Sequence, residues 1–89
     1  MKEEAEIKLN TTYIRYNLEE ARDEISELLA RLKNGTHVTY EEFYDSMQSL
    51  IHHVNVAWNA RVASPEETQD PPSTTFEKWG RFPTDITLV

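Results

Sequence analysis

The sequence predicts an all-α protein, an antiparallel two-helix hairpin followed by a tail with short helical turns. Three observations carry that expectation. Two long segments repeat apolar residues at helical spacing, a helix stop and a complete helix-start signal stand between them, and the composition changes at Ser64. Residues 1–63 are read as the hairpin, with helices at about 2–33 and about 40–63, and residues 64–89 as a Pro-containing aromatic tail that packs on it.

In the first helix the apolar positions are Ile7, Ile14, Leu18, Ala21, Ile25, Leu28 and Leu32, with Thr11 after Ile7. From Ile14 on, the steps alternate four and three, which gathers these side chains into one stripe that Leu29 widens. Arg31 and Lys33 suit the negative end of the helix dipole. Asn34-Gly35 supplies the stop, because Gly adopts the left-handed cap conformation without strain. Asn10-Thr11-Thr12 are poor helix formers and mark the place where the first residues would fray.

The second helix opens with Thr39 as its cap and Glu42 three residues on to close a capping box, while Val38 and Phe43 stand where a hydrophobic staple belongs. Tyr40, Tyr44, Met47, Ile51, Val54, Trp58 and Val62 form its apolar stripe, which Phe43, Leu50 and Ala57 extend sideways. Glu41, Asp45, Gln48, His52, Asn55 and Asn59 form the opposite, polar face. The apolar arc is wider than one partner helix covers. A short connection makes the two helices antiparallel neighbours. Pairing of two hairpins into a four-helix bundle, a homodimer, is the expected way to bury the remaining arc.

Ser64-Pro65-Glu66-Glu67 is a second capping box with Pro at the first helical position, and Asp70-Pro71-Pro72 ends that helix early. The tail then places Phe76 and Trp79 one turn apart, with Gly80 as a cap, and adds Phe82, Ile86, Leu88 and Val89. Disordered linkers are poor in such residues, so the tail is expected to dock.

Composition limits the function classes. A chain of 89 residues buries only roughly 60–65% of its unfolded surface and gains little stability from its core alone. It has no Cys, which excludes disulfides, thiolate catalysis and cysteine-ligated zinc. Nine basic residues against 16 acidic ones give a net charge of −7, so direct binding to nucleic acid is not expected. No run is apolar and long enough for a membrane span or a signal core, and a cytoplasmic location is the expectation.

No catalytic residue, cofactor or metal site is predicted. With only 2 Gly there is no glycine-rich phosphate loop, and no nucleophile elbow occurs. His52 and His53 are adjacent and point about 100° apart on a helix, a poor arrangement for one ion, and neither Glu-x-x-His nor His-x-x-x-His is present. The run Leu18-Glu19-Glu20-Ala21-Arg22-Asp23-Glu24-Ile25 resembles the first helix of the all-helical chorismate mutases. Such an enzyme grips a dicarboxylate with basic residues that should recur in its second helix. Arg61 is the only positive charge there, which sets the resemblance aside.

The expected function is therefore that of a non-enzymatic interaction or regulatory module with an unidentified protein partner. Its candidate surface is His53, Trp58, Asn59, Arg61, Trp79 and Arg81, since Trp and Arg most often anchor interfaces. The structural alternative makes Trp58 a core residue and pairs Arg61 with Asp70 or Asp85. Two other functions compete with this one. An acidic inhibitor that fills a basic nucleic-acid-binding groove would need dense negative charge, but the acids are spread along the chain. A His-centred metal protein would need better spacing than His37, His52 and His53 offer.

Overall fold

A computed structural model describes residues 7–87, so the expected helix before residue 7 and the tail residues Leu88 and Val89 lie partly or wholly outside the described residues. Two long helices, α1 (Thr11–Lys33) and α2 (Tyr40–Asn59), are followed by the short α3 (Pro65–Gln69) and α4 (Ser73–Trp79), with no strand among the described residues. No helix among them is long and apolar enough to cross a membrane.

Hydrogen bonds at both ends of the hairpin fix its direction. Asn10 caps α1 by accepting from the Tyr13 backbone N–H at 3.0 Å. Its own N–H donates to the Arg61 carbonyl at 2.7 Å and its side-chain amide to the Ala63 carbonyl at 2.9 Å. At the other end Arg31 donates to Glu42 at 3.1 Å and to the His37 carbonyl at 3.3 Å. The start of α1 thus lies at the end of α2, and the reverse, as antiparallel helices require.

Each helix end has a local chemical cause. Residues 7–10 are not helical, because Asn10 holds the cap position and directs its remaining donors across to the end of α2. α1 closes with paired bonds, Thr36 N–H to the Arg31 carbonyl and Gly35 N–H to the Leu32 carbonyl, around Gly35 at φ 73°. Both capping boxes form, Thr39 with Glu42 and Ser64 with Glu67. α2 stops at Asn59 rather than near residue 63. Arg61 and Ala63 N–H turn back to the Trp58 and Ala60 carbonyls, three residues earlier, and Asn10 binds the carbonyls of Arg61 and Ala63.

The faces of α2 are used differently from the expectation. The row turned towards α1 runs through small or polar residues: His53, which bonds Asn17, and Val56 and Ala60, which meet Tyr13. Small side chains let the helices approach closely. The tail docks on the side expected to be solvated. There Asn59 donates to the carbonyls of Trp79 at 2.8 Å and Arg81 at 2.7 Å, and Asn55 to that of Gly80 at 3.0 Å. Helices end in carbonyls that lack an internal partner, and α2 provides donors for those of α4. Trp79 then enters the core beside Val56, Ala60, Tyr13 and Ala63, with its ring edge-on to Tyr13 at 5.9 Å.

Most of both apolar stripes consequently stays uncovered. Only Ala21, Val56, Ala57, Ala60 and Trp79 are buried hydrophobic residues among those described. The molecule is long, 57 × 30 × 24 Å, with a radius of gyration of 16.1 Å where a compact chain of this length has about 12 Å.

Candidate functional site

The six residues expected to form one recognition surface do not share a surface. Trp79 is buried, so it serves the core and cannot anchor a partner. His53 faces α1, where its Nδ1 lies 3.0 Å from Asn17 Oδ1. Asn59 and the Arg81 backbone bind each other, while Arg81 itself is exposed.

Trp58 and Arg61 do meet, in an internal joint with Asp85. The Arg61 guanidinium stacks 3.7 Å from the centre of the Trp58 ring. It donates to the Trp58 carbonyl at 2.7 Å and to Asp85 at 3.3 Å. The Trp58 indole N–H donates to the other Asp85 oxygen at 2.8 Å. These donors hold the Asp85 carboxyl below the usual carboxylate range, the Trp58 bond first and Arg61 after it. The joint ties residues 82–86 alongside α2. Between them lies an apolar groove of about 480 Å³, walled by Leu50, Val54, Trp58, Phe82 and Ile86.

Both long helices present an open apolar face. The tail contacts α2 at His52, Asn55 and Asn59 and α1 at Tyr13, and its residues 82–86 run on along the Leu50–Val54–Trp58 row of α2. With about 100° between successive helical side chains, Leu18, Ile25 and Leu29 of α1 and Phe43 of α2 fall where the tail leaves the hairpin open. Leu18, Ile25, Leu29, Leu32, Phe43 and Val54 are 42–53% exposed. A depression of about 460 Å³, walled by Leu9, Ile14 and Leu18, continues this face along α1. Scattered exposed leucines are ordinary, whereas here the exposed apolar residues form a row on two adjoining helices.

A second concavity of about 540 Å³ lies on the tail side, among Tyr13, Tyr16, Asn17, His52, His53, Thr68, Ser73 and Phe76. Tyr13 and Tyr16 stack at 6.3 Å, and His52 and Phe76 lie 5.3 Å apart. Burial, and then the neighbouring His53, lower the His52 pKa and favour its neutral ring. Gly80 packs directly beneath His52: a Cβ there would stand 2.8 Å from His52 Nδ1. Burial also raises the Tyr13 pKa.

Sequence reasoning missed Asn17, Tyr16 and His52 as a group. The available signal was Asn17, a poor helix former in the middle of α1 whose amide now donates to the Tyr13 carbonyl at 3.0 Å. No set of three or more His, Asp or Glu side chains among the described residues is placed to hold a metal ion. Comparison of the chain with protein-family models, with curated proteins and with solved structures finds no match in any of the three.

Proposed function

We propose that this chain is a non-enzymatic interaction module that pairs with a second copy of itself through the open apolar face, forming a four-helix bundle. The observation that carries this reading is the extent of uncovered apolar surface on one side of the hairpin. The chain exposes 7085 Å², against about 5,400 Å² for a compact monomer of its mass. The excess reflects the elongated shape and includes polar as well as apolar surface, and an interface of standard size takes roughly 800 Å² from each partner. A second copy brings a face of the same chemistry, and two-fold pairing of two-helix units is the commonest closed solution.

The polar residues give a binding function better support than a reaction. At Trp58, Arg61 and Asp85 the side chains bond to one another and leave no paired nucleophile and base. The acidic-inhibitor reading has weaker support, because Glu19, Asp23, Glu42 and Asp85 each pair with an arginine, which thins the negative field.

Substituting Leu29→Lys together with Ile25→Glu tests the assignment of the face. The double variant should sediment as a helical monomer, while Glu27→Lys, on another side of α1, should leave the assembly intact. An unchanged mass for the double variant would remove the face from the proposal.

A further inference from the structure

We infer that the concavity between α1, α2 and the α3–α4 segment binds a small, uncharged aromatic molecule that carries a phenolic O–H or a ring N–H. This reading is independent of self-pairing, because none of the residues lining the cavity belongs to the open row of Leu18, Ile25, Leu29, Leu32 and Phe43. Its volume, about 540 Å³, falls within the usual range for small-molecule sites. Its walls are chemically unlike the rest of the molecule. Although 28% of the chain is charged, no Asp, Glu, Lys or Arg lines this cavity. An ionic ligand would lose its hydration there with no opposite charge to replace it, so the ligand is neutral. The rings of Tyr16 and Phe76, with His52 against Phe76, form flat walls that suit a planar ligand.

The hydrogen-bond pattern sets the ligand's polarity. Asn17 is 2% exposed, and its amide nitrogen donates to the Tyr13 carbonyl, which fixes the amide orientation. Asn17 Oδ1 must then accept, and the group 3.0 Å away is His53 Nδ1, so that nitrogen carries the proton. In the neutral ring Nε2 is left as a lone-pair acceptor, and no hydrogen bond among the described residues uses it. A ligand O–H or N–H would complete it. The buried Asn17 thus acts as a positioning residue that selects the tautomer of His53.

Three probes of similar size separate the contributions: p-cresol, which is flat and donates; toluene, which is flat and does not; and benzoate, which is charged. Each is titrated into the isotope-labelled full-length chain while amide and histidine-ring signals are followed by NMR. The expected result is saturable binding of p-cresol at millimolar concentration, with shifts centred on Asn17, His53 and Phe76. Toluene should bind roughly three- to tenfold more weakly, the worth of one hydrogen bond, and benzoate more weakly still. Ser73→Trp, at an exposed position on the rim, should abolish binding while circular dichroism shows the helices intact. Equal affinity for toluene and p-cresol, undiminished binding to the Ser73→Trp protein, or no saturable shift with p-cresol would each overturn the inference.

Discussion

Asn55 and Asn59 occupy the middle and end of α2, where an asparagine side chain ordinarily competes with the helix's own backbone bonds. Here their amides serve the C-terminal carbonyls of α4, and Asn10 and Asn17 do comparable work for the turn after α2 and for His53. Replacing Asn59 with Ala leaves two carbonyls without their donor. Such a loss costs about 1–3 kcal/mol and should appear as a lower urea midpoint with little change in helix content. His52 supplies a pH dependence. Its folded pKa is depressed by burial, so the unfolded chain takes up the proton first, near its ordinary value of about 6.5. The contribution of His52 to stability is therefore present above that pH and is lost as pH falls towards the folded pKa. Unfolding by urea at pH 7.5 and 5.5 should show the drop, and His52→Gln should reduce it; an equal drop in both proteins would assign it elsewhere.

The helices, the end of α1 and the start of α2 were legible in the sequence, whereas the start of α1, the end of α2 and the assignment of the faces were not. The two capping boxes and the Asn34-Gly35 stop are local chemistry, and each is found where the sequence puts it. The periodicity of α2 likewise identifies a helix, but it does not say which side meets α1. Small residues and a histidine won that side because they permit close approach and because Asn17 stood opposite His53. The polar face holds the end of α4 through Asn55 and Asn59, while residues 82–86 lie along the Leu50–Val54–Trp58 row. Of the predicted site, the Arg61–Asp85 pair was foreseen as a structural alternative, while the cavity around Asn17 depends on three separate segments and has no motif. The contribution of α4 has a direct test. Trp79→Ala removes the ring from the cluster of Val56, Ala60 and Tyr13, and should cost about 3–5 kcal/mol in urea unfolding, with α4 losing its amide protection first. A loss below 1 kcal/mol would show that the tail contributes little to the fold.

As a whole the chain has the proportions of half a bundle. The five buried hydrophobic residues among those described make a thin core, the radius of gyration is about a third larger than that of a compact chain, and Leu18, Ile25, Leu29, Leu32 and Phe43 stay open. Covering that face removes apolar area from water in both copies at once, the dominant favourable contribution to association. The self-pairing claim is tested most directly by the solution mass of the full-length protein, measured by light scattering after size exclusion over a range of concentrations. Pairing predicts a mass of about 20.8 kDa, twice the 10.4 kDa of one chain, maintained on dilution to low micromolar concentration. A mass of 10.4 kDa across that range would contradict it.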